Sequence, residues 1–186
     1  MCSSKEATAD PSASASPWST TTGSPAETAA LGERLGRLLQ RGDIVLLSGE
    51  LGVGKTVFTQ GLGSGLETPT PVRSSSFVLL SEHPDGRLPL FHADLYRLTA
   101  AAEVAELWLD EEAADGVLVV EWPERWAADT PADHLLVRFE ADLGPQAITE
   151  QRRITIAACG STAAARLQDF TAAERSARGA AKVSGR

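Results

Sequence analysis

The sequence predicts an α/β fold in which a mixed parallel and antiparallel central sheet lies between layers of helices. Two short, continuously apolar runs at 44–47 and 117–120 are typical of strands buried on both faces. A glycine-rich loop follows the first run and opens a helical pattern, which gives the order strand, loop, helix. The turn at Pro84, Asp85 and Gly86 separates two further strand-like segments and favours an antiparallel hairpin.

Capping residues and leucine spacing predict the first helix. Ser24 is a suitable N-cap, Pro25 suits the first helical position, and Glu27 completes a capping box. Gly42 is the predicted helix stop. One face of this helix carries four leucines, namely Leu31, Leu35, Leu38 and Leu39.

The later elements follow from their apolar patterns. A second helix after the glycine-rich loop is predicted to weaken near Gly63 and Gly65. The hairpin is formed by strands at 77–80 and 88–91. A short amphipathic helix is marked by Val104, Leu107 and Trp108. Alternating patterns indicate two late strands, at 134–140 and 152–157.

The loop at 49–56 reads G-x-x-x-x-G-K-T, and its residues are Gly49, Glu50, Leu51, Gly52, Val53, Gly54, Lys55 and Thr56. Between a buried strand and a helix, this pattern is a P-loop. The glycines let backbone N–H groups point at phosphate, and the helix N-terminus adds partial positive charge. Lys55 would reach the β- and γ-phosphates, and the Thr56 hydroxyl is an oxygen ligand suited to Mg²⁺. We therefore expect a three-layer P-loop NTPase fold that binds ATP and Mg²⁺.

Two acidic residues at predicted strand ends could complete a phosphoryl-transfer site. Asp94 and Glu121 each follow a predicted strand. If the strand before Glu121 runs parallel to the strand before the P-loop, Glu121 lies near Thr56 and the metal. The alternative for Asp94 is a structural cap or an ion pair with Arg97, and the alternative for Glu121 is a solvated strand end.

Composition excludes several classes of protein. The sequence contains no asparagine, and so lacks the N-K-x-D motif with which Ras-like GTPases read guanine. A net charge of −8 disfavours tight nucleic-acid binding by most of the surface. No run approaches the roughly 20 apolar residues that span a bilayer, and the N-terminus has no secretory apolar segment. We expect a cytoplasmic protein without membrane contact.

Composition also divides the chain into three predicted segments. Residues 1–23 are rich in Ser, Ala, Thr and Pro, and are predicted to form a disordered N-terminal tail. Residues 24–159 form the P-loop ATPase domain. Residues 160–186 are an Ala/Arg-rich C-terminal tail, which either forms a helix or stays disordered.

Four sequence blocks make the chain from about 24 to 156 resemble one known family. They read G-E-L-G-V-G-K-T at 49–56, V-R-S-S-S-F at 72–77, H-A-D-L-Y-R-L at 92–98 and V-E-W-P-E at 120–124. In this order they resemble TsaE, the bacterial ATPase family of tRNA threonylcarbamoyladenosine biosynthesis. The last two blocks together are far more specific than a P-loop alone.

The resemblance implies roles for particular residues. Thr56 and Glu121 would hold Mg²⁺, Asp94 would be needed for hydrolysis, and Thr28 would lie near the adenine. With Lys55, Asp94 and Glu121 form the candidate catalytic set. Trp122 matches a family tryptophan beside the metal ligand, with a core aromatic as the alternative. A switch segment that responds to nucleotide would comprise four residues, Ser74, Ser75, Ser76 and Phe77.

This chain departs from the family pattern in three places, one of which is the pair of long tails before Ser24 and after Gly160, which are not family features. Ser75 and Ser76 stand where the family usually has Pro and Thr, and the loss of proline predicts a less rigid switch segment. Trp108 stands where the family often has glycine, so the adjacent helix end is expected to pack differently.

The resemblance implies a weak, Mg-dependent ATPase that acts with TsaD-like and TsaB-like partners. Together they would form N6-threonylcarbamoyladenosine next to the anticodon of tRNAs reading ANN codons, with this chain meeting tRNA only through the complex. The alternative is a small P-loop metabolite kinase, although the sequence after the loop offers no arginine-rich lid. A third possibility is a nucleotide-dependent scaffold without physiological hydrolysis.

Overall fold

The computed structural model describes residues 15–69, 72, 79–99, 101–126, 130–141 and 151–184. Seven strands form one sheet: β1 (Trp18–Thr22), β2 (Ile44–Ser48), β3 (Leu80–His83), β4 (Leu90–Asp94), β5 (Val117–Glu121), β6 (His134–Ala141) and β7 (Arg152–Cys159). The helices are α1 (Pro25–Gly36), α2 (Lys55–Gly65), α3 (Ala101–Ala105), α4 (Leu109–Asp115) and α5 (Ser161–Ser184). No helix within the described ranges is long and apolar enough to cross a bilayer.

The sheet has the strand order β1-β7-β6-β2-β5-β4-β3 and is mixed, as the sequence predicts. β4, β5, β2 and β6 run parallel to one another in its centre. β3 pairs antiparallel with β4, and β7 and β1 add two antiparallel strands at the other side. Because the central strands are parallel, their carboxyl ends meet at one edge, where ligands of open α/β sheets bind.

Two apolar clusters, one on each face of the sheet, give the fold its three layers. Alternate residues of β2 show this, since Val45 and Leu47 belong to one cluster and Ile44 and Leu46 to the other. The first cluster includes α1, α2 and α5, and the second includes residues around α3 and α4. The predicted three-layer α/β architecture is therefore confirmed.

α1 begins as its sequence predicts and ends earlier. The Ser24 hydroxyl accepts from the Glu27 N–H at 3.2 Å, and Pro25 occupies the first helical position. The Glu27 carboxylate accepts a hydrogen bond from the Gly23 N–H at 2.8 Å. The helix ends at Gly36, so Gly42 is not its stop and instead lies, with a φ of +88°, in the turn before β2.

The glycines of α2 serve close helix packing. A Cβ atom on Gly61 would lie 2.0 Å from the Ala29 carbonyl oxygen, and one on Gly32 of α1 would lie 2.3 Å from the Phe58 oxygen. α1 and α2 therefore approach each other backbone to backbone, which only glycine permits. This contact holds the helix that follows the P-loop, and α2 continues to Gly65 through the glycines that were expected to weaken it.

Both predicted tails contribute to the fold, which corrects the segment boundaries at 23 and 160. β1 lies inside the segment predicted to be disordered and pairs with β7. Its sequence is polar, but it is an edge strand rich in threonine, which favours strands. α5 lies in the predicted C-terminal tail, and its Leu167 and Phe170 are fully buried in the first apolar cluster. The rest of the predicted N-terminal tail, 1–14, lies outside the described residues.

The antiparallel hairpin and the late strands are confirmed with shifted ends. The first hairpin strand begins at Leu80 within the described residues, and the second runs on to Asp94. Trp108 does not belong to the predicted short helix, which ends at Ala105. Instead, Trp108 precedes α4 with a φ of +48° and is 64% exposed.

Candidate functional site

The loop between β2 and α2 has the backbone conformation that phosphate binding requires. Gly52 and Gly54 have φ angles of +77° and +107°, in the left-handed region that glycine adopts without strain. α2 begins directly after Gly54, and neither an acidic residue in its first turn nor a capping side chain occurs among the described residues. Its N-terminus therefore offers partial positive charge to an anion in the loop.

The Lys55 side chain folds back over this loop. Its Nζ donates to the carbonyl oxygens of Gly49 at 2.8 Å and Glu50 at 2.9 Å. The same ammonium lies 4.1 Å from the centroid of the Trp122 ring, within range of a cation–π interaction. Burial lowers the pKa of Lys55, and three nearby carboxylates oppose this effect: Glu121, Glu124 and Asp94.

Thr56 and Glu121 come together because β5 runs parallel to β2. Glu121 is paired in register with Leu47, next to the start of the P-loop. The Glu121 Oε2 atom lies 3.3 Å from the Thr56 hydroxyl. Two neighbouring ligands of one octahedral Mg²⁺ ion lie about 3 Å apart, so this oxygen pair fits a shared ion. Glu121 is only 3% exposed, so the alternative of a solvated strand end is wrong.

Asp94 ends β4 directly beside Glu121, with which it is paired in register. Its Oδ1 atom accepts a hydrogen bond from the Tyr96 N–H at 3.1 Å, which stabilises the turn after the strand. Asp94 is only partly buried and therefore remains accessible. The turn contact matches the structural-cap alternative, and the position beside Glu121 matches the catalytic one.

Comparison with known proteins assigns the family. A sequence model of the family "Threonylcarbamoyl adenosine biosynthesis protein TsaE" matches residues 22–153. The chain belongs to the TsaE family. Membership supports the tRNA-modification interpretation of the sequence over the metabolite-kinase alternative.

Individual TsaE proteins show the same relationship. The chain is 44% identical over 134 residues to the tRNA threonylcarbamoyladenosine biosynthesis protein TsaE of Streptomyces coelicolor, covering 70% of this chain and 89% of that protein. It is 36% identical over 138 residues to the TsaE protein of Bacillus subtilis, covering 74% and 83%. The crystal structure of B. subtilis YdiB superposes with a TM-score of 0.70 at 29% identity, covering 85% of this chain and 96% of that one.

In this TsaE protein, Trp122 links the P-loop lysine to an exposed aromatic residue. The ring centroids of Trp122 and Tyr96 lie 4.9 Å apart, and the rings are inclined at 44°. Trp122 is partly buried and also packs against the second apolar cluster. Its backbone has a φ of +62°, which is strained for a bulky residue and sets the ring toward Lys55.

Thr28, which the TsaE resemblance places near adenine, is fully buried in the structure. Its hydroxyl lies 2.8 Å from the Thr22 hydroxyl and 3.1 Å from the Ser24 carbonyl oxygen. These contacts join β1 to α1, so direct contact with adenine would require them to open. The predicted switch residues Ser74, Ser75, Ser76 and Phe77 lie outside the described residues.

Arg152 is a site residue that the sequence analysis missed. A Cβ atom on Gly54 would lie 2.9 Å from its Nη1 atom, so the guanidinium packs against the P-loop. Arg152 begins β7 and shares the parity of Ile154 and Ile156, which belong to the first apolar cluster together with residues of α1, α2 and α5. Two adjacent arginines open this strand, and only the strand register shows which of them faces the loop.

Proposed function

We propose that this protein is the ATP-binding and ATP-hydrolysing component of the machinery that forms N6-threonylcarbamoyladenosine next to the anticodon of tRNAs reading ANN codons. The observation that supports this most directly is the Thr56–Glu121 oxygen pair at 3.3 Å, placed at the P-loop of a TsaE family member. The overall negative charge of −8 supports contact with tRNA through partner proteins rather than directly.

ATP phosphates would bind the loop at 49–56 and the N-terminus of α2. Lys55 would exchange its contacts with the Gly49 and Glu50 carbonyls for the β- and γ-phosphates. This exchange is favourable because the ammonium then donates to negatively charged phosphate oxygens instead of neutral carbonyl oxygens. Arg152 lies close enough to the loop to add a second positive charge.

Thr56 and Glu121 would hold Mg²⁺, which neutralises charge on the phosphates when it is bound. Within the described part of the chain, no group of three His, Cys, Asp or Glu side chains could hold a metal ion. Two protein oxygens with the remaining ligands from phosphate and water are the usual arrangement for Mg²⁺ in such sites. The donor set therefore fits Mg²⁺ bound together with nucleotide.

Asp94 would act in hydrolysis from the end of β4. Its carboxylate lies on the strand next to Glu121 and is partly exposed, so it could orient an attacking water molecule. We propose that ATP orders the region around Asp94 as a docking surface for TsaD-like and TsaB-like partners in the cytoplasm. Loss of the γ-phosphate after hydrolysis would release that surface.

The test measures phosphate release from ATP by the purified protein, alone and with TsaD-like and TsaB-like proteins from the same organism. We expect slow turnover alone and a clear increase with both partners present. Glu121→Gln should abolish the increase, whereas Glu82→Gln, an exposed position on β3, should leave it unchanged. Equal rates with and without partners would reject the coupling.

The same variant, tested in cells, distinguishes the ATPase proposal from the scaffold alternative. If Glu121→Gln restores threonylcarbamoyladenosine in tRNA of a strain that lacks this protein, hydrolysis is dispensable and the chain acts as a scaffold. We expect no restoration by this variant and full restoration by Glu82→Gln.

A further inference from the structure

We propose that His92 is a positioning residue that fixes the Glu121 carboxylate in the orientation needed to hold Mg²⁺. The inference rests on the proposed metal site and adds a residue to which no role has been assigned. His92 belongs to β4, in the strand next to Glu121, and is 1% exposed. It lies beneath the metal site rather than in contact with nucleotide.

The sheet register places both side chains on the same face. In β4, Leu90 belongs to the apolar cluster below α1 and α2, and His92 shares its parity. In β5, Val117 and Val119 belong to that cluster, and Glu121 continues their row. Leu90, Val117 and Val119 in these two rows are apolar, and Asp94 ends the β4 row opposite Glu121, so His92 is a polar residue set between the hydrophobic layer and the acidic edge of the site.

The two oxygens of Glu121 have separate partners. Oε1 lies 3.1 Å from the His92 Nε2 atom, and Oε2 lies 3.3 Å from the Thr56 hydroxyl. Because a carboxylate oxygen can only accept, Nε2 carries the hydrogen and donates it. The histidine thus binds Oε1 from the protein interior, and Oε2 remains directed at the P-loop.

The rest of the His92 ring supports a dedicated role in this contact. Its Nδ1 atom is buried and has no hydrogen-bond partner among the described residues. A buried ring nitrogen without a partner is unfavourable, so an apolar residue such as the neighbouring Leu90 would pack here at lower cost. The hydrogen bond to Glu121 is the contact that justifies a histidine at this position.

Loss of this hydrogen bond would free the carboxylate to rotate. The Lys55 ammonium lies 4.1 Å from the ring centroid of Trp122, the residue after Glu121, so the freed carboxylate could turn toward it. An ion pair between Glu121 and Lys55 would remove a ligand from Mg²⁺. His92 therefore keeps Glu121 available to the metal.

The test uses calorimetric titration with ADP and with a non-hydrolysable ATP analogue, each with Mg²⁺ and with EDTA. For each nucleotide, the quantity compared is the ratio of its affinity with Mg²⁺ to its affinity with EDTA. His92→Leu should lower this ratio at least about tenfold, because loss of a residue that orients a metal ligand lowers metal affinity about 10–100-fold. The affinity measured with EDTA should stay unchanged. His92→Gln, whose amide can reach the position of Nε2, should restore most of the ratio.

His83→Leu is the matched control. His83, on the neighbouring strand, is partly buried and, like His92, has a ring nitrogen without a hydrogen-bond partner among the described residues, but it forms no hydrogen bond there to Glu121. A wild-type ratio in His92→Leu, or an equal fall in His83→Leu, would overturn the role of His92. If the wild-type protein itself bound nucleotide equally with and without Mg²⁺, the proposed metal site would fail as well.

Thermal melting identifies a purely structural effect. If His92→Leu does not fold, His92→Gln and His92→Asn give the same comparison, because the Asn amide is too short to reach Oε1. We expect Gln to keep the ratio and Asn to lose it. Equal ratios in the two folded variants would contradict the proposal.

Discussion

At the residue scale, the P-loop packs against a side chain that is distant from it in sequence. Arg152 packs against Gly54, and its neighbour Arg153 points to the opposite face of the sheet, where it is exposed. The pair differs in orientation but not in charge, and net charge is therefore the same when either is replaced. This makes Arg153 a control for the position of the guanidinium.

Arg152→Ala is expected to weaken ATP binding at least about tenfold, since a hydrogen bond to a charged group contributes about 1.5–3 kcal/mol. Arg153→Ala should leave the affinity within about twofold of the wild-type value. Calorimetric titration of both variants with ATP measures the difference. Similar affinities for the two variants would show that Arg152 does not contact nucleotide.

Trp108 shows how a departure from the family pattern affects a single residue. Its φ of +48° lies in the left-handed region, which is unfavourable for any residue with a Cβ atom. A glycine, which the family resemblance suggests at this position, would adopt this backbone without strain. Because the indole is 64% exposed, little packing depends on it.

Trp108→Gly is expected to stabilise the protein by about 0.5–1 kcal/mol, because relief of the strained backbone exceeds the added entropy of the unfolded chain. Trp108→Ala keeps the Cβ atom and should give no gain. Urea unfolding of the three proteins measures the free energies. Stabilisation of the alanine variant by the same amount would assign the effect to loss of the exposed indole instead.

At the scale of elements, α5 is part of the core although it follows the region matched by the TsaE family. Phe170 is fully buried and contacts Trp18 with ring centroids 5.0 Å apart and an interplanar angle of 80°. The Arg166 guanidinium forms a buried ion pair with Asp43 at 2.7 Å. One helix near the C-terminus thus joins the β1 edge to the turn before β2.

Phe170→Ala is expected to lower the free energy of unfolding by about 3–5 kcal/mol, because it leaves a cavity between α5 and the sheet. Gln168→Ala, an exposed change on the same helix, should stay within about 0.5 kcal/mol of wild type. Urea unfolding compares them. A small effect of Phe170→Ala would mean that α5 does not contribute to the core in solution.

At the scale of the whole molecule, two histidines make stability depend on pH. Burial lowers the pKa of His134 below its ordinary value of 6.5, and hydrogen bonding to the Pro131 carbonyl opposes this only in part. Burial also lowers the pKa of His83, with a further contribution from His92. Between the lowered pKa values and 6.5, the unfolded chain binds more protons than the folded protein.

Stability should therefore fall as the pH decreases below about 6.5, because the unfolded state gains protons first. Urea unfolding between pH 5 and 8, a range in which few other groups titrate, measures this slope. His134→Asn, which can still donate to Pro131, should reduce the slope. A flat profile for the wild-type protein, or higher stability at the acidic end, would contradict the assignment.

Local sequence patterns determined much of the fold and the location of the P-loop. The apolar runs of β2 and β5, the N-cap of α1 and the glycines of the loop are each encoded within about ten residues, so a single segment reveals them. The order of the motifs also indicated the family. In contrast, β1 has a polar composition, and only its pairing with β7 makes a strand favourable there.

The contacts that shape the candidate site were decided by tertiary structure. Thr56 and Glu121 are separated by 65 residues, and His92 and Glu121 by 29, so no local pattern relates their atoms. Sequence placed Glu121 at a strand end, but strand direction and register determine that its oxygens face the P-loop. The same register selects Arg152 over Arg153. Phe170 is a core residue because α5 packs against the sheet, a contact between segments that are distant in sequence.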